Sequence, residues 1–200
     1  MARANRFAPP TVPCHVVNRG NDRRTIYADS ADYRAFLHLL RSGGSRFLVR
    51  VHGYCLMPNH FHLVLEPQRD GALSAYMQWV TGCYSCYLRA RTGTSGSGHV
   101  FQRRFWSAAI RDDLHFLTVL RYVEANPRRA GLVTTCEDWP WSSLRERLAG
   151  RMSTPATGLR VDDWKALVNQ PQPTSSLDEL RREVTRPPGR RPAVPSAQDR

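Results

Sequence analysis

The spacing of apolar residues predicts alternating strands and helices along the first half of the chain. Short apolar stretches, some alternating with polar residues, indicate strands at 14–17, 47–51, 61–65 and 106–110. Apolar residues recur every three or four positions, the period of amphipathic helices, over 29–42 and 72–91. Asp29 is suited to cap the first helix, and Gly43-Gly44 is expected to end it. The predicted order is strand, helix, strand, strand, helix, strand.

A third helix is predicted to begin at Asp112 or Asp113. It carries two apolar stripes, and the second comprises His115, Val119, Tyr122 and Asn126. Tyr122 and Asn126 are four residues apart and are therefore neighbours on one helix face. Pro127 disfavours helical geometry at the residue before it, so the helix should end or bend at Asn126. The Asn126 amide would then lie at a helix terminus, where it can turn towards a site.

Composition divides the chain into three parts. Residues 1–11 are expected to form a flexible N-terminal arm. Residues 12–150 hold the periodic segments and are long enough for one domain, since domains usually run to ~100–150 residues. Within this domain, Trp139-Pro140-Trp141 is expected to pack the chain back onto the core. Beyond residue 150 this pattern weakens, and from residue 170 the chain is rich in proline, serine and arginine, with one short possible helix at 177–184. We therefore predict a largely disordered C-terminal extension over 151–200.

The chain is strongly basic. It carries 29 basic and 17 acidic residues, a formal charge of +12, and every basic residue except Lys165 is an arginine. This charge favours a polyanionic partner, although arginine enrichment can also follow from genomic base composition. The five cysteines form no regular framework, no signal peptide is evident, and no apolar run approaches the ~20 residues of a membrane span. We therefore expect a cytoplasmic protein with no membrane partner.

Two histidines flank one aromatic residue at the start of the third predicted strand. Side chains alternate faces along a strand, so His60 and His62 should project from one side and Phe61 from the other. Paired imidazoles are suited to holding a divalent ion with open coordination positions, where it can polarise a phosphoryl oxygen. A chance pairing of histidines at a strand edge is the alternative, and the sequence pattern alone leaves both open.

Two segments are rich in arginine. The first, 18–24, is a turn-rich loop that could either cradle a phosphate or be an ordinary solvated turn. The second, 99–106, interleaves arginines with aromatic residues. Single-stranded nucleic acids are bound in this way, because phosphates pair with arginine and unstacked bases stack on aromatic rings. A strand edge with its aromatic residues turned inward would show the same pattern.

Cys83 and Cys86 form a C-x-x-C sequence on the apolar stripe of the predicted helix at 72–91. No second cysteine pair follows at zinc-finger spacing, so the pattern favours buried packing over metal or redox chemistry. A small zinc-binding module that uses Cys55, Cys83 and Cys86 with His60 is an alternative.

Four motifs in order resemble those of the REP-associated tyrosine transposases, a branch of the single-tyrosine HUH transposase superfamily. They are V-N-R-G-N at 17–21, M-P-N-H-F-H-L at 57–63, H-V-F-Q-R-R-F at 99–105 and L-R-Y-V-E-A-N-P-R-R-A-G-L at 120–132. The resemblance covers about residues 12–148. It implies an α+β, ferredoxin-like βαββαβ fold, with an antiparallel sheet, helices on one face and an added helix that carries the tyrosine.

The same resemblance implies the site and its partners. Tyr122 would be the nucleophile, and a divalent metal, Mg²⁺ or Mn²⁺, would be held by His60, His62 and Asn126. The partner would be single-stranded DNA with a hairpin, of the kind formed by REP-like inverted repeats, bound by a monomer or a homodimer. We take the candidate DNA-binding residues to be Arg19, Asn21, Arg23, Arg24, Arg103, Arg104, Arg128 and Arg129.

The expected activity is the cleavage and rejoining of DNA through a 5′-phosphotyrosine intermediate. The alternative is a regulator that binds hairpin DNA and retains the fold without catalysis. Formation of a covalent adduct with DNA separates the two.

Overall fold

The computed structural model describes residues 8–94 and 98–185. One antiparallel sheet has the strand order β2-β3-β1-β4, and its strands are β1 Cys14–Arg19, β2 Val49–Met57, β3 His60–Pro67 and β4 Trp106–Ala109. Helices α1 (Ser30–Phe47) and α2 (Ala72–Thr92) complete the βαββαβ order. The predicted ferredoxin-like fold is confirmed. The later helices are α3 Asp113–Glu124, α4 Asn126–Arg129, α5 Ser143–Leu148, α6 Val161–Asn169 and α7 Thr174–Thr185.

Helix α1 begins as predicted but does not end where predicted. The Asp29 side chain accepts hydrogen bonds from the backbone N–H groups of Ala31 and Asp32, which caps the first turn. The helix then continues through Gly43-Gly44 to Phe47. A Cβ atom at Gly43 would lie 2.8 Å from the ring of Tyr76 on α2. Gly43 therefore serves the close approach of the two helices and does not terminate α1.

The sheet face beneath α1 and α2 is packed with apolar and aromatic side chains. Strand residues Leu56, Phe61 and Leu63 are fully buried there, and they pack with helix residues that include Phe36 and Tyr84. The rings of Phe36 and Phe61 have centroids 5.0 Å apart. Burial of this kind stabilises a fold by about 25 cal/mol per Å² of apolar surface.

The opposite sheet face is covered by the added helix α3, which carries Tyr122, and by the C-terminal helices. Val119, Leu120 and Val123 of α3 pack on Cys55 and Val64 of the sheet, together with buried residues from the C-terminal helices. This second core forms because alternate residues of β2 and β3 are apolar on both sides of the sheet.

Helix α3 lies close to the sheet, where a glycine permits its approach and a buried ion pair stabilises it. A Cβ atom at Gly53, beside the irregularity in β2, would lie 2.2 Å from the end of the Leu120 side chain, so a larger residue would require Leu120 to move. At the end of α3, the Glu124 carboxylate accepts hydrogen bonds from Arg147 Nε at 2.9 Å and from Trp164 Nε1 at 2.7 Å. Both Glu124 and Trp164 are fully buried. These contacts join α3, α5 and α6.

The C-terminal extension differs from the predicted disorder over residues 151–185. Helices α6 and α7 occupy much of it, and they bury Trp164, Val168 and Leu180 in the second core. Few apolar residues are needed to hold these two helices in place, because each lies at helical spacing against a surface already formed by α3 and α5. Residues 186–200 of the extension and 1–7 of the N-terminal arm lie outside the described residues.

The remaining expectations about the chain have mixed outcomes. Trp139 and Trp141 pack the chain back as predicted: Trp139 Nε1 donates to the Leu56 carbonyl at 2.9 Å, and Trp141 stacks on Tyr33. The prediction that the C-x-x-C pair is buried is wrong, since Cys86 is exposed and Cys83 is half-buried. No helix in the described residues is long and apolar enough to cross a bilayer.

Candidate active site

The start of β3 and the last turn of α3 bring three of the predicted site residues together. His60 and His62 lie on the same sheet face, with ring centroids 5.1 Å apart. The Tyr122 ring lies edge-on to His62, with centroids 5.6 Å apart and an interplanar angle of 80°. Tyr122 is 7% exposed and His62 is 4% exposed. The structure therefore places the predicted nucleophile beside a predicted metal ligand.

Both histidines have their Nδ1 atoms engaged by neighbours. His60 Nδ1 lies 2.7 Å from Asn59 Oδ1, and the Asn59 amide nitrogen donates to the Arg23 carbonyl at 3.0 Å. His62 Nδ1 lies 3.0 Å from His15 Nε2. Because an amide oxygen can only accept, His60 carries its proton on Nδ1 and keeps a lone pair on Nε2. That nitrogen is the one left for a metal ion.

His15 is a member of this cluster that sequence reasoning missed. It lies on β1 and is 1% exposed, and its ring is stacked on His62 and edge-on to Tyr122. The register of the sheet explains the contact: Val17 pairs with His62, and His15 is two residues away on the same face. The signal in the sequence was a histidine inside an otherwise apolar strand.

Burial keeps these imidazoles neutral. Desolvation lowers the pKa of His60 to about 4 and that of His15 to about 3, and it holds the pKa of His62 well below its usual range. Neighbouring positive charges, such as Arg19 beside His60, act in the same direction. Neutral imidazole is the form that binds metal ions.

Arg129 lies directly over the predicted nucleophile. Its guanidinium carbon is 4.0 Å from the centroid of the Tyr122 ring, and it donates to the Tyr122 carbonyl at 2.7 Å. It also donates to the Gln172 side-chain oxygen, in the segment between α6 and α7. Burial lowers the pKa of Arg129, but an arginine stays charged at neutral pH. A fixed cation therefore faces the ring of Tyr122.

Asn126 follows Tyr122 by one helical turn, as predicted. Helix α3 ends at Glu124, and Asn126 begins the short helix α4, so the predicted interruption is present. The side chain is 9% exposed, and its Nδ2 atom has no hydrogen-bond partner within the described residues. A buried N–H donor without a partner costs free energy, which a hydrogen-bond acceptor at this position would offset.

The two arginine-rich segments, 18–24 and 99–106, meet beyond the C-terminal end of β1, in a region that we call the arginine edge. Asn21 N donates to the Val100 carbonyl at 2.8 Å, and Gln102 N donates to the Arg19 carbonyl at 3.0 Å. Asp22 and Arg23 both adopt positive φ angles, of 51° and 58°, in the 3₁₀ turn Asn21–Arg23. Such strained conformations cluster at functional sites. The exposed residues of this edge include Arg23, Arg24, Arg103 and Arg104.

Arg128 and Arg129 do not share that edge. Arg128 donates to the carbonyls of Thr134 and Asn169, and Arg129 is held against Tyr122. Their side chains have intramolecular roles, and DNA binding by either one stays a prediction.

The donor set fits a divalent ion held by two imidazoles and an amide. Within the described ranges, no three histidine, cysteine or acidic side chains converge as a metal site, so His60 and His62 need a further ligand. Asn126 is of the right chemistry, since its side-chain oxygen is a hard donor and the residue lies one helical turn from Tyr122. The alternative zinc module is not formed, because Cys55 packs under α3 while Cys83 and Cys86 lie on α2, across the sheet.

Residues 10–126 match the family of IS200-like transposases. The match covers more than half of the chain, and the protein belongs to this family. A Haemophilus influenzae protein, provisionally named a REP-associated tyrosine transposase, is 32% identical over 99 residues, which is 45% of this chain and 56% of that protein. The REP-associated tyrosine transposase of Escherichia coli K12 is 25% identical over 115 residues, which is 57% of this chain and 61% of that protein.

A solved structure of a REP-associated tyrosine transposase bound to a REP hairpin has the same fold. It superimposes with a TM-score of 0.63 at 19% identity, covering 80% of this chain and 93% of the other. At this identity the likeness concerns the fold alone. The chain matches 56% and 61% of the length of the two curated relatives, so their full activities are not transferred by similarity.

Proposed function

We propose that this transposase cleaves and rejoins single-stranded, hairpin-containing DNA through a 5′-phosphotyrosine at Tyr122. The observation that carries the proposal is the packing of the Tyr122 ring against His62, with centroids 5.6 Å apart, in a site where each predicted ligand histidine has its Nδ1 atom engaged. A packing tyrosine needs no such neighbours. Membership of the transposase family agrees with the proposed chemistry.

His60, His62 and Asn126 would hold a divalent ion, Mg²⁺ or Mn²⁺. When bound, the ion supplies Lewis-acid stabilisation of charge on a nonbridging phosphoryl oxygen. The protein's part is to present two neutral imidazole nitrogens and one amide oxygen. Burial of His60 and His62 keeps protons from competing for those nitrogens at neutral pH.

The covalent step is a transesterification at Tyr122. The phenolic oxygen loses its proton to water and forms a bond to phosphorus. The bond from phosphorus to the 3′ oxygen breaks, and that oxygen takes up a proton from water and leaves as a 3′-hydroxyl. A protonated tyrosine is a weak nucleophile, and nearby positive charge stabilises the oxygen anion that attacks phosphorus. Arg129, stacked on the ring at 4.0 Å, supplies that charge. The reverse attack by a 3′-hydroxyl rejoins DNA without an external energy source.

The arginine edge supports the choice of DNA as substrate. Arg23, Arg24, Arg103 and Arg104 are exposed at the point where two loops meet, and the chain has a formal charge of +12. Exposed arginines in such loops pair with phosphates. The Asn59 amide ties this edge to His60, so the proposed binding surface and metal site are adjacent.

The test compares Tyr122→Phe with Tyr84→Phe in a suicide-substrate assay with hairpin DNA and Mn²⁺. We expect Tyr122→Phe to bind DNA like the wild type but form no covalent complex in denaturing gels, because only the attacking oxygen is removed. Tyr84 donates to the Ile26 carbonyl in the other core, so its variant should keep activity. A denaturation-resistant adduct with Tyr122→Phe would refute the assignment, and binding without any adduct by the wild type would favour a non-catalytic regulator.

A further inference from the structure

His15 and His62 form a pair of buried imidazoles linked nitrogen to nitrogen. His62 Nδ1 and His15 Nε2 are 3.0 Å apart, and the rings are stacked with centroids 5.3 Å apart. His15 also contacts Trp106 of β4 and Tyr122 of α3 through its ring edges. Three neighbouring elements therefore fix the orientation of the His15 ring, and the ring in turn fixes His62.

A hydrogen bond between two neutral imidazoles can have either of two proton arrangements. If His62 Nδ1 donates, His62 Nε2 keeps its lone pair and can bind a metal ion. If His15 Nε2 donates, His62 carries its proton on Nε2 and cannot bind through that atom. The position of the proton between the two rings therefore decides whether His62 can bind a metal ion through Nε2.

The other predicted ligand shows which arrangement the site requires. Asn59 Oδ1 can only accept a hydrogen bond, so His60 must donate from Nδ1 and leave Nε2 free. The same arrangement at His62 needs an acceptor on its Nδ1 side, and His15 Nε2 occupies that position. Acceptors of this kind orient metal-binding histidines and raise their basicity.

We propose that His15 is a positioning residue that accepts a hydrogen bond from His62 and so presents His62 Nε2 to the metal ion. This inference rests on the proposed function, since it assumes that His62 is a metal ligand. His15 does not touch the ion or the substrate. It acts only through the ring orientation and proton position of His62.

Burial of the polar His15 side chain costs free energy, which supports a dedicated role for this residue. Its side chain is 1% exposed, and its Nδ1 atom has no hydrogen-bond partner among the described residues. A buried polar atom left unpaired costs about 1–3 kcal/mol. An apolar residue would fill this strand position without that cost, as Cys14 and Val16 do at the neighbouring positions.

Two substitutions of similar length separate hydrogen bonding from packing. His15→Met fills the space with an unbranched side chain but offers no strong acceptor, whereas His15→Gln can place an amide oxygen near the position of Nε2. We expect His15→Met to weaken Mn²⁺ binding by roughly 10–100-fold in calorimetric titration, and His15→Gln to recover most of that loss. His52→Gln is the matched control, because His52 lies on the same sheet and pairs with Glu66.

The proton position can be read in the metal-free protein without measuring activity. Long-range ¹H–¹⁵N spectra of the wild type should show His62 protonated on Nδ1, with His60 in the same state as an internal reference. In His15→Met, His62 should shift towards the form protonated on Nε2, while His60 should not change. If His62 in the wild type is protonated on Nε2, the proposal is overturned without any substitution.

The outcomes separate this inference from the proposed function. Loss of Mn²⁺ binding in His62→Ala but wild-type binding in a folded His15→Met protein overturns the role of His15 alone. Wild-type Mn²⁺ binding in His62→Ala overturns the metal site and the inference together. Equal losses in His15→Met and His15→Gln, with unchanged thermal unfolding, also count against an acceptor role.

Discussion

The two faces of the sheet are both buried but differ in what they bury. Beneath α1 and α2 the strands present Leu56, Phe61 and Leu63 to a core of apolar and aromatic residues. Beneath α3 the same strands present His60 and His62, and the helix adds Tyr122 and the charged Glu124. Consecutive residues of β3 thus belong to two different environments.

Residues that stabilise the fold and residues proposed to take part in the chemistry therefore lie on opposite faces of the same strands. The apolar face gains stability from surface burial, which depends little on exact side-chain identity. Every polar group on the other face carries a desolvation cost that must be met by a partner or a ligand. We therefore expect substitutions on the first face to change stability, and substitutions of the histidines and tyrosine to change activity beyond any change in stability.

The largest expected effect contrasts neighbouring residues of β3. His62→Ala should lower DNA cleavage on the order of 10³-fold, because Lewis-acid stabilisation worth several kcal/mol is removed. Leu63→Ala should instead lower the free energy of unfolding by about 2–5 kcal/mol and leave the rate per folded molecule unchanged. His62 is itself buried, so the fold of its variant must be checked by thermal unfolding. Similar rates for His62→Ala and the wild type at limiting Mn²⁺ would remove the distinction between the faces.

The second prediction concerns stability on the polar face. Glu124→Ala should lower the free energy of unfolding by about 3–5 kcal/mol, because it leaves Arg147 buried without its counterion. The control is Glu146→Ala, which removes more exposed ion pairs with Arg41 and Arg151 and should cost no more than about 1 kcal/mol. Urea unfolding measures both. Equal losses would mean that the buried pair contributes no more than a surface pair.

The third prediction concerns the loss of stability at acidic pH. The pKa values of His15, His60 and His62 are lower in the folded protein than the unfolded value of about 6.5. Between pH 6.5 and about 4 the unfolded chain binds protons that the folded protein excludes, so stability falls as pH falls. Each group contributes up to about 1.4 kcal/mol per pH unit.

Urea unfolding of the metal-free protein between pH 8 and 5 checks this slope. Above pH 6.5 these three groups should contribute no pH dependence, and His60→Gln should flatten the slope below it. A His38→Gln control, on the exposed side of α1, should leave the slope as it is. An unchanged slope in His60→Gln would show that His60 is not held neutral.

The smallest expected effect is at the arginine edge. Replacing Arg103 and Arg104 by glutamine should reduce the slope of log K against log salt by about 0.7 for each single-strand phosphate that an arginine no longer neutralises. Arg34→Gln on α1, where the guanidinium bonds to Ser30, should leave the slope unchanged. Fluorescence anisotropy with a labelled hairpin at several salt concentrations measures both. Equal slopes in all three proteins would exclude this edge as a phosphate-binding surface.

The fold was predictable where the evidence was local. Period-two and period-3.6 patterns gave the order of the elements, and the cap at Asp29 was recognisable from its residue type. The end of α1 was not, because Gly43 is needed for contact with Tyr76 on another helix. Helix α6 was missed for the same reason, since Trp164 is buried in contact with Glu124, 40 residues earlier. Helix α7 was recognised only as a short possible helix at 177–184.

The site was predictable in part. The alternation of a strand places His60 and His62 on one face, and helical spacing places Tyr122 near Asn126. The register between β1 and β3, which brings His15 to His62, depends on strand pairing across 47 residues. The position of Arg129 over Tyr122 depends on the turn between α3 and α4, which the sequence does not show. The sequence therefore suggested DNA binding for a residue that the structure places against the predicted nucleophile.

The Asn59 side chain adds a direct link between the arginine loop and His60, beside the backbone hydrogen bond from Gly20 N to the Asn59 carbonyl. Its nitrogen bonds to the Arg23 carbonyl in the arginine loop, and its oxygen bonds to His60. If DNA shifts this loop, the Asn59 amide group can pass the shift to His60, a predicted metal ligand, and the metal affinity then changes by some factor. Thermodynamic linkage then requires the metal ion to change DNA affinity by the same factor. The ratio of the DNA affinities with and without the metal ion gives a coupling free energy, and Asn59→Ala should reduce it in a double titration.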